Sequence, residues 1–491
     1  MSSDEGSDQE FHDDDELDFV NRLPYQEKLE RIKSLRDQVD WGIESDRDNF
    51  LDQIFPVIKD WGEWENRYPN LLEIFDAQEI ELLLYDCTRY KSNRDYHVDY
   101  EQLLEFVAFV ARSGYKGQPL LSDLTPVHLV TRRLRTDWDE ALGYLFDIYD
   151  RNDENYTDKF GFTHFYAACM SRRADVVERF LEHGRVDPNC PAPSTGDSPL
   201  HLALNMTYGN AAKNIRLLME YGADPNAING KGLTPLNVMC EGRCHHEVVE
   251  TLLKMGEKKQ RPVQVDARGT DGRTPLQWAV MNFSSRVVDL LLDHGADTSD
   301  LHFPTVDDYD AKLKSPFTNE IKMVSGFLGV DESLVKKGGY ALDRSDALSF
   351  MKFSAKHGCF EKLEEDLEKC WYQDEEFVEW AKYWNIGSSK LQLCDFIRLR
   401  PEDAAKQLAY TDYFDFAIPL LNITLPHEFR EPFTRHVCEK MSRGFFRRWA
   451  LDPLLELTGR KLPILCCEMI IGQLLNEDMY NICLATIDQS S

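Results

Sequence analysis

A short segment rich in metal-binding side chains is the first place in this chain to look for chemistry. Cys240–His246 reads CEGRCHH. A structural zinc site draws its ligands from two such clusters, as Cys-x-x-Cys and His-x-x-x-His pairs. The second half is missing here, and the segment falls at a turn between two expected helices, where polar residues are common. We therefore expect no metal at this segment.

Other arrangements with catalytic or ligand-binding potential are also incomplete. The neighbours Cys466 and Cys467 point apart on an expected apolar helix, where a thiol pKa rises and reactivity falls, so we expect both to pack in a core. No glycine-rich loop is followed by Lys-Ser or Lys-Thr, so phosphate binding has no support. The histidines and acidic residues follow no triad-like order. These observations predict a protein that is not an enzyme and that needs no cofactor or metal.

Composition indicates a folded protein with little affinity for polyanions. The chain has 491 residues, a formal net charge of −30 and a sequence pI near 4.8. Basic surfaces supply much of the affinity for nucleic acid and for anionic membranes, so the acidic balance argues against both partners. A hydrophobic content of 42% suffices for folded cores. The length predicts about two to four domains.

Cysteine usage and the N-terminal segment bear on location. The 12 cysteines are scattered along the chain, which is typical of a reducing compartment. The N-terminal segment is acidic instead of basic and apolar, so we expect no signal peptide. No apolar run approaches the roughly 20 residues of a membrane span. The expected location is the cytoplasm, with the nucleus as an alternative.

A four-residue phrase recurs five times and indicates how the middle of the chain is built. Its Ser or Thr can accept a hydrogen bond from a free N–H at a helix start. Four of the copies place Pro at the first helical position, where a missing N–H costs nothing. Each copy therefore predicts a short helix. The copies begin at Thr125, Thr163, Ser198, Thr234 and Thr274, in steps of 38, 35, 36 and 40 residues.

A second helix is expected after each phrase. Its aliphatic residues recur at helical spacing, as in Val176, Val177, Phe180 and Leu181, which gives one buried face. Four of these helices are expected to end at a glycine, which closes a helix in the left-handed conformation without strain. In the fourth repeat, Glu257–Arg268 is expected to form a bulging loop. The four glycines are Gly184, Gly222, Gly256 and Gly295.

The exits from these helices resemble those of ankyrin repeats. Gly222–Asn226 reads GADPN, and Gly295–Asp297 reads GAD. A tetratricopeptide array is the alternative, but this exit needs a β-turn between helix pairs. The resemblance covers residues 121–304, in about five repeats, and implies a stack that binds another protein. The second repeat departs from the pattern, with His164 in place of proline and Tyr166 in place of histidine.

The ankyrin resemblance also implies which residues contact a target protein. In that family the partner lies against the hairpin tips and the first helices. An exposed Phe or Met there would be an anchor, because a few apolar residues dominate binding. For Phe160 and Phe162 the alternative is packing between repeats. The tip residues are Phe160, Phe162, Asp197, Lys231, Leu233, Asp271 and Arg273, and the helix residues are Met170, Asn205, Met206, Met281 and Asn282.

The segments that flank the repeats are expected to be helical, except at the N-terminus. Residues 1–18 carry acidic side chains without Lys or Arg and are expected to be disordered. Residues 19–120 show apolar stripes at helical spacing and should cover the first repeat, because terminal repeats need a cap. Residues 305–340 are expected to be a connector with short helices. Further helices follow from 341, including a long one over Phe360–Trp384.

The end of the chain, residues 459–487, resembles an F-box. Leu462-Pro463 opens an apolar helix, and Asn476-Glu477-Asp478 breaks it before a second helix. F-boxes dock an apolar helix pair on the Skp-type adaptor of cullin–RING ubiquitin ligases. The alternative is a helix pair that belongs to an ordinary core. The resemblance implies adaptor contacts at Leu462, Pro463, Leu465, Met469, Ile470, Leu474 and Ile482.

Ankyrin repeats followed by such an end resemble the PRANC family of poxvirus and insect proteins. Asn385–Ile397 (NIGSSKLQLCDFI) and Leu425–Phe429 (LPHEF) contribute to this resemblance, and the PRANC domain would span 341–491. The implied architecture is all-α, with an ankyrin-repeat solenoid between an N-terminal helical cap and a C-terminal F-box-like domain.

The PRANC resemblance implies a substrate receptor that holds a target protein on its repeats and docks on a Skp-type adaptor and cullin ligase. The alternative function is a scaffold or inhibitor that masks its target without recruiting a ligase. A third hypothesis, an enzyme domain between residues 305 and 460, has no supporting motif.

Overall fold

A computed structural model shows a helix-rich chain, 65% helical with almost no strands among the described residues, which confirms the all-α prediction. It divides into two compact units. Unit 1 comprises residues 1–235 and 251–263, and unit 2 comprises 236–250 and 264–491. The structure describes residues 24–59, 61, 67–89, 96–120, 123–132, 139–151, 154–204, 211–242, 245–314, 318–360, 371–386, 391–420, 425 and 427–488.

Four helices precede the repeats in unit 1. They are α1 (Tyr25–Arg36), α2 (Glu44–Ile58), α3 (Ala77–Thr88) and α4 (Tyr96–Arg112). Asp76 caps α3, because its carboxylate accepts from the Glu79 N–H while the Glu79 carboxylate accepts from the Asp76 N–H. The first repeat follows as α5 (Pro126–Arg132) and α6 (Asp139–Ile148). Helix α3 contacts α5 and α4 contacts α6, so these helices lie against the first repeat.

A carboxyl group is buried where the N-terminal helices meet the first repeat. Glu81 on α3 accepts hydrogen bonds from the Tyr115 hydroxyl at 3.1 Å and the Tyr149 hydroxyl at 2.8 Å. Burial raises the pKa of Glu81 to about 7, and the two tyrosine hydrogen bonds oppose that rise. The folded protein therefore holds a proton here that the unfolded chain releases at lower pH.

We expect Glu81 to make unit 1 less stable as pH rises. Between the unperturbed pKa of 4.5 and the folded value of about 7, the folded state binds more protons than the unfolded state, so stability falls with increasing pH. The loss should reach about 3 kcal/mol above pH 7. Urea unfolding from pH 4.5 to 8 should show this slope in the native chain and lose it in Glu81→Gln. Parallel profiles for the two proteins would contradict the prediction.

Five helix pairs follow the five phrases along the chain. The first helices begin directly after the capping Ser or Thr, as predicted. For example, the Thr274 hydroxyl accepts from the Gln277 N–H, while the Gln277 side chain accepts from the Thr274 N–H. The pairs after α5 and α6 are α7 (His164–Cys169) with α8 (Ala174–Glu182), α9 (Pro199–Ala203) with α10 (Ala211–Glu220), α11 (Pro235–Glu241) with α12 (His246–Lys258), and α13 (Pro275–Met281) with α14 (Ser285–Asp293).

The last residue of a phrase links its repeat to the next one. His201 Nε2 donates to the Leu233 carbonyl at 2.9 Å, because that oxygen can only accept, and Nδ1 then accepts from Ser198. Asn237 and Gln277 reach the carbonyls of Ala267 and Asp300 in the same way. In the second repeat, where tyrosine replaces histidine, the Tyr166 hydroxyl donates to the carbonyls of Cys190 and Pro191. In four of the five phrases this position therefore supplies a donor that reaches the next repeat, whereas Nε2 of His128 in the first phrase makes no such bond among the described residues.

Three of the four predicted glycine exits have the left-handed conformation, and the fourth does not. Gly184, Gly222 and Gly295 have φ values of 66°, 96° and 82°. Helix α12 instead continues through Gly256 to Lys258, and Gln260 takes the left-handed conformation at 55°. The predicted helix end at Gly256 is therefore wrong, and the first two residues of the expected loop are helical.

Gly256 is required by close packing, and we expect alanine there to destabilise unit 1. An added Cβ would lie 2.9 Å from both the Arg261 carbonyl oxygen and Val263 Cγ2. Alanine normally favours a helix by about 1 kcal/mol over glycine, but this overlap should reverse the sign and cost about 1–3 kcal/mol. Denaturant unfolding would measure the change. Gly222→Ala is the control, since its Cβ meets nothing within 4 Å and its cost is conformational only. Stabilisation by Gly256→Ala would contradict the prediction.

Unit 2 is built around two helices, α16 (Glu320–Ser333) and α22 (His427–Leu457). The core is aromatic: the rings of Phe327 and Phe350 stack with centroids 3.9 Å apart, and Phe445 meets both edge-on. Besides α13 and α14, the described residues of unit 2 also form α15 (Val306–Leu313), α17 (Arg344–Lys356), α18 (Glu375–Ala381), α19 (Leu393–Arg398), α20 (Pro401–Gln407), α21 (Tyr410–Leu420), α23 (Ile464–Gln473) and α24 (Asn476–Asp488), with a short antiparallel pair of β1 (Asn385–Ile386) and β2 (Leu391–Gln392).

Two expectations for this region are wrong. Residues 305–340 hold α16, a 14-residue helix whose side chains are mostly buried and which contacts α21 and α22, so this segment contributes to a core. The single helix expected over Phe360–Trp384 is interrupted by a 3₁₀ turn at Trp371–Gln373, before Asp374 caps α18. Residues 361–370 lie outside the described part of the chain.

Candidate protein-docking surfaces

The hairpin tips of unit 1 have a conformation set by their own side chains. At one tip, Asp158 Oδ1 accepts from the N–H groups of Phe160 and Phe162, both at 2.8 Å. At another, Asn229 Oδ1 accepts from Lys231 and Leu233, both at 3.0 Å. Short acidic and amide side chains stabilise turns in this way. Both tips therefore have an internal support that does not depend on a bound partner.

Consecutive tips of unit 1 pack closely against one another. A Cβ added at Gly161 would lie 2.7 Å from Pro193, and one added at Gly196 would lie 2.5 Å from the Gly230 nitrogen. The amide of Asn229 also donates to Asp197 at 2.8 Å. Residues 158–162, 193–197 and 228–233 thus form a continuous row, which we call the tip row.

The tip row exposes a ring between two cations. The side chain of Phe160 is 58% exposed, and its ring centre lies 5.0 Å from the Arg132 guanidinium and 5.2 Å from the Lys159 ammonium. Asp158 is buried and pairs with Arg132 at 2.6 Å, and this pairing together with the backbone hydrogen bonds lowers the pKa of Asp158 against the effect of burial. Lys231 is exposed. The accessible face is therefore apolar and basic.

Other expected target contacts in unit 1 are less accessible. Phe162 is half-buried, and its ring lies 5.6 Å from that of Tyr166 in the same repeat and 6.4 Å from that of His128 in the first repeat, which agrees with the alternative of packing between repeats. Asp197 is half-buried, whereas Met170 and Leu233 are buried at 7% and 8% exposure. Asn205 and Met206 lie outside the described residues. Contact with a target remains a prediction for all of these positions.

The expected contacts in unit 2 are partly engaged within the unit. Asp271 and Arg273 are exposed, and the Arg273 guanidinium lies 4.8 Å from the Trp278 ring centre. Met281 and Asn282 are half-buried, and the Asn282 amide donates to the Cys240 carbonyl at 2.6 Å. Asn282 therefore has a structural role, which the sequence pattern did not reveal.

A second surface lies on α23, at the predicted F-box-like end. Only Cys467 and Ile471, one turn apart, are buried on this helix. The remaining apolar side chains face outward, and Leu465 and Met469 are 72% and 73% exposed. We call this the α23 face. It comprises Leu462, Pro463, Ile464, Leu465, Met469 and Ile470, all exposed.

The remaining predicted adaptor contacts are less exposed than the α23 face, and one of the two neighbouring cysteines is not in the core. Leu474 and Ile482 are half-buried. Ile464, which was not among the predicted contacts, is 57% exposed and extends the α23 face at the start of the helix. Cys466 is exposed, so the expectation that both neighbouring cysteines pack in a core is wrong for this one. Successive helical residues point about 100° apart, and α23 buries too narrow a stripe to cover both.

A polar network fixes the end of α23 on α22. Asn476 is fully buried, and its amide donates to the Glu439 carbonyl at 3.2 Å and the Ser442 hydroxyl at 2.9 Å. Its backbone N–H donates to the Glu439 carboxylate at 2.9 Å. Arg443 pairs with the same carboxylate at 3.2 Å and also donates to the Gly472 carbonyl. Helix α24 then buries Met479 and Cys483 at helical spacing. The α23 face is therefore presented from an anchored turn.

Comparison with known proteins identifies the repeats. A family model for ankyrin repeats, in three copies, matches residues 139–229 and 206–301. Residues 139–301 are ankyrin repeats. The match includes α6 to α14 and begins after the first phrase at Thr125.

The matches to curated relatives cover only a small part of this chain and of each relative. Human neurogenic locus notch homolog protein 4 is 36% identical over 117 residues, which is 24% of this chain. A BTB/POZ domain and ankyrin repeat-containing protein, COCH, of Pisum sativum is 38% identical over 72 residues, or 15% of the chain. The ARF GTPase-activating protein Git of Drosophila melanogaster is 35% identical over 88 residues, or 18%. The matches cover 5%, 14% and 11% of these relatives, respectively.

Metal-binding groups and membrane-spanning helices are both absent from the described residues. Within them, no group of three or more His, Cys, Asp or Glu side chains could hold a metal ion. Residues 243 and 244 of the cysteine- and histidine-containing segment are outside that part of the chain. No helix among the described residues combines the length and apolar character that a membrane crossing requires.

Proposed function

We propose that this protein is a non-catalytic substrate receptor of a cullin–RING ubiquitin ligase. In this proposal the ankyrin repeats hold a target protein and the α23 face docks on a Skp-type adaptor. Bringing the target close to a ubiquitin-charged enzyme raises its effective concentration there, so the receptor itself needs no reactive side chain. The ankyrin repeats establish a role in protein–protein interaction.

The observation that supports adaptor docking is the outward orientation of the α23 face. A helix that served only the core would bury its apolar side chains, whereas α23 buries two and, with the two residues before it, exposes the six of the α23 face. Exposed apolar patches of this kind mark interaction sites. A helix presenting residues at positions i, i+3, i+4 and i+7 suits an interface in which a helix lies in an apolar groove. Within α23, Leu465 and Met469 have the i, i+4 spacing, and Cys466, Met469 and Ile470 have the i, i+3, i+4 spacing.

The alternative proposal is a scaffold or inhibitor that masks its target through the repeats alone. It would account for the tip row and leave the α23 face without a partner. The relatives do not favour either function, because the matches cover 24%, 15% and 18% of this chain and the relatives' names describe different kinds of protein. A measurement of adaptor binding distinguishes the substrate receptor from the scaffold or inhibitor.

The test uses purified full-length protein and a purified Skp-type adaptor with its cullin N-terminal partner. We expect a stable one-to-one complex by size-exclusion chromatography and calorimetry, and its loss when residues 462–491 are deleted. The deleted protein should keep the thermal transition of the ankyrin repeats. Absence of a complex with the full-length protein would overturn the receptor proposal and leave the scaffold. An unchanged complex after deletion would overturn the assignment of the adaptor site.

A further inference from the structure

The tip row of unit 1 is basic and apolar, although the chain as a whole is strongly acidic. The protein carries a net charge of −30, yet this row exposes Lys159 beside the Phe160 ring and Lys231 two tips further along. The two acidic side chains of the tip row already have partners within unit 1. Asp158 is buried and pairs with Arg132, and Asp197 accepts a hydrogen bond from the Asn229 amide. Ile228, in the third segment of the tip row (residues 228–233), is 68% exposed. An apolar surface with exposed cations is complementary to an acidic segment that carries large apolar side chains.

Such a segment is present in the same chain. Residues 4–20 contain nine acidic residues and no Lys or Arg, together with Phe11, Leu17, Phe19 and Val20. Most of this acidic protein repels a segment of that charge, so a basic apolar row is the favourable place for it.

The intervening chain is long enough to allow the contact. The 13 residues from Phe11 to Pro24 can span about 45 Å when extended. A compact unit of about 250 residues has a radius of gyration of about 18 Å. The segment therefore has the reach to contact the tip row of the unit to which it is joined.

We propose that residues 4–20 bind the tip row of unit 1 and compete there with the target protein. Phe160 packs against an aromatic or aliphatic side chain of the segment, and Lys159 and Lys231 pair with its carboxylates. The inference rests on the proposed role of the repeats in target binding and narrows it. A target that displaces the segment must present the same chemistry, an acidic stretch with large apolar residues.

The experiment measures binding of a fluorescent peptide of residues 4–20 to two proteins, the full-length chain and a chain that lacks residues 1–20. We expect the shortened chain to bind the peptide at least tenfold more tightly, because the full-length chain carries an intramolecular competitor. Raising the salt concentration from 50 to 500 mM should weaken binding, since exposed charges are screened. No binding to the shortened chain, or equal binding to both chains, would overturn the proposal.

Single substitutions in the tip row test whether the peptide of residues 4–20 binds there. In the shortened chain, Phe160→Ala and Lys159→Glu should each weaken peptide binding about tenfold or more, whereas Leu72→Ala, an equally exposed residue elsewhere in unit 1, should leave it unchanged. A peptide in which Phe11, Leu17 and Phe19 are serine should also bind weakly. Equal binding by all variants would overturn the assignment to the tip row. Adaptor binding by the full-length variants reports separately on the proposed receptor function, since these residues are far from α23 in sequence and belong to the other unit.

Discussion

Replacing Met469 with aspartate should abolish adaptor binding without unfolding the protein. The side chain is 73% exposed, so a charge at this position stays in water while the protein is free. In the proposed complex the same charge would be buried against an apolar groove without a partner, which costs several kcal/mol. We therefore expect at least about a hundredfold loss of affinity. Leu465→Asp, at 72% exposure, should have the same effect. Calorimetric titration with the adaptor measures the affinity, and thermal unfolding measures stability.

The matched control for this prediction is Gln473→Asp. Gln473 is an exposed polar residue on the same helix but outside the α23 face, so the same charge there should change affinity little. Leu474→Asp should also weaken binding, but Leu474 is half-buried and part of its effect would come from unit 2 itself. Undiminished adaptor binding by a folded Met469→Asp variant would exclude the α23 face as the docking site.

Asn476→Ala should have the largest effect on the stability of unit 2 among single polar substitutions at the α23–α24 turn. The substitution removes two buried hydrogen bonds of the Asn476 amide, although the Ser442 hydroxyl keeps its bond to the Cys438 carbonyl. A buried hydrogen bond contributes about 0.5–1.5 kcal/mol, so we expect a loss of about 2 kcal/mol in the free energy of unfolding. Denaturant unfolding measures this loss.

The control for Asn476→Ala lies on the same helix. Asn481 is exposed on α24, and Asn481→Ala should change stability by less than about 0.5 kcal/mol. If both substitutions have the same small effect, the turn is not held by the polar network. Adaptor affinity should also fall in Asn476→Ala, because the turn that presents α23 would be less firmly fixed.

The repeats could be predicted from the sequence because their signals are local. A capping hydroxyl followed by Pro determines where a helix starts, and Gly222 and Gly295 mark where the next one ends. Gly256 carries the same local signal, but its cause is the approach of Arg261 and Val263, which spacing along the chain does not reveal. The role of Tyr166 was hidden for a similar reason, since its acceptors are more than 20 residues away.

The candidate sites were predictable only in part. An apolar helix at the end of the chain is visible in the sequence, but whether its side chains face a core or water depends on what packs against it. The structure places Cys467 and Ile471 inward and leaves Leu465 and Met469 in water. Likewise, Phe160 and Met170 were both expected contacts, and only the surrounding repeats determine that the first is exposed and the second is buried.

The exposure of α23 has a consequence for how molecules of this protein behave in solution. The six exposed apolar residues of the α23 face would ordinarily promote self-association in a concentrated sample. The negative charge of this chain opposes self-association, because electrostatic repulsion keeps two copies apart before their apolar α23 faces come into contact. The acidity thus acts as a colloidal stabiliser while the α23 face is unoccupied. Adding salt should bring copies together through α23, and light scattering at rising ionic strength would show self-association that Met469→Asp prevents.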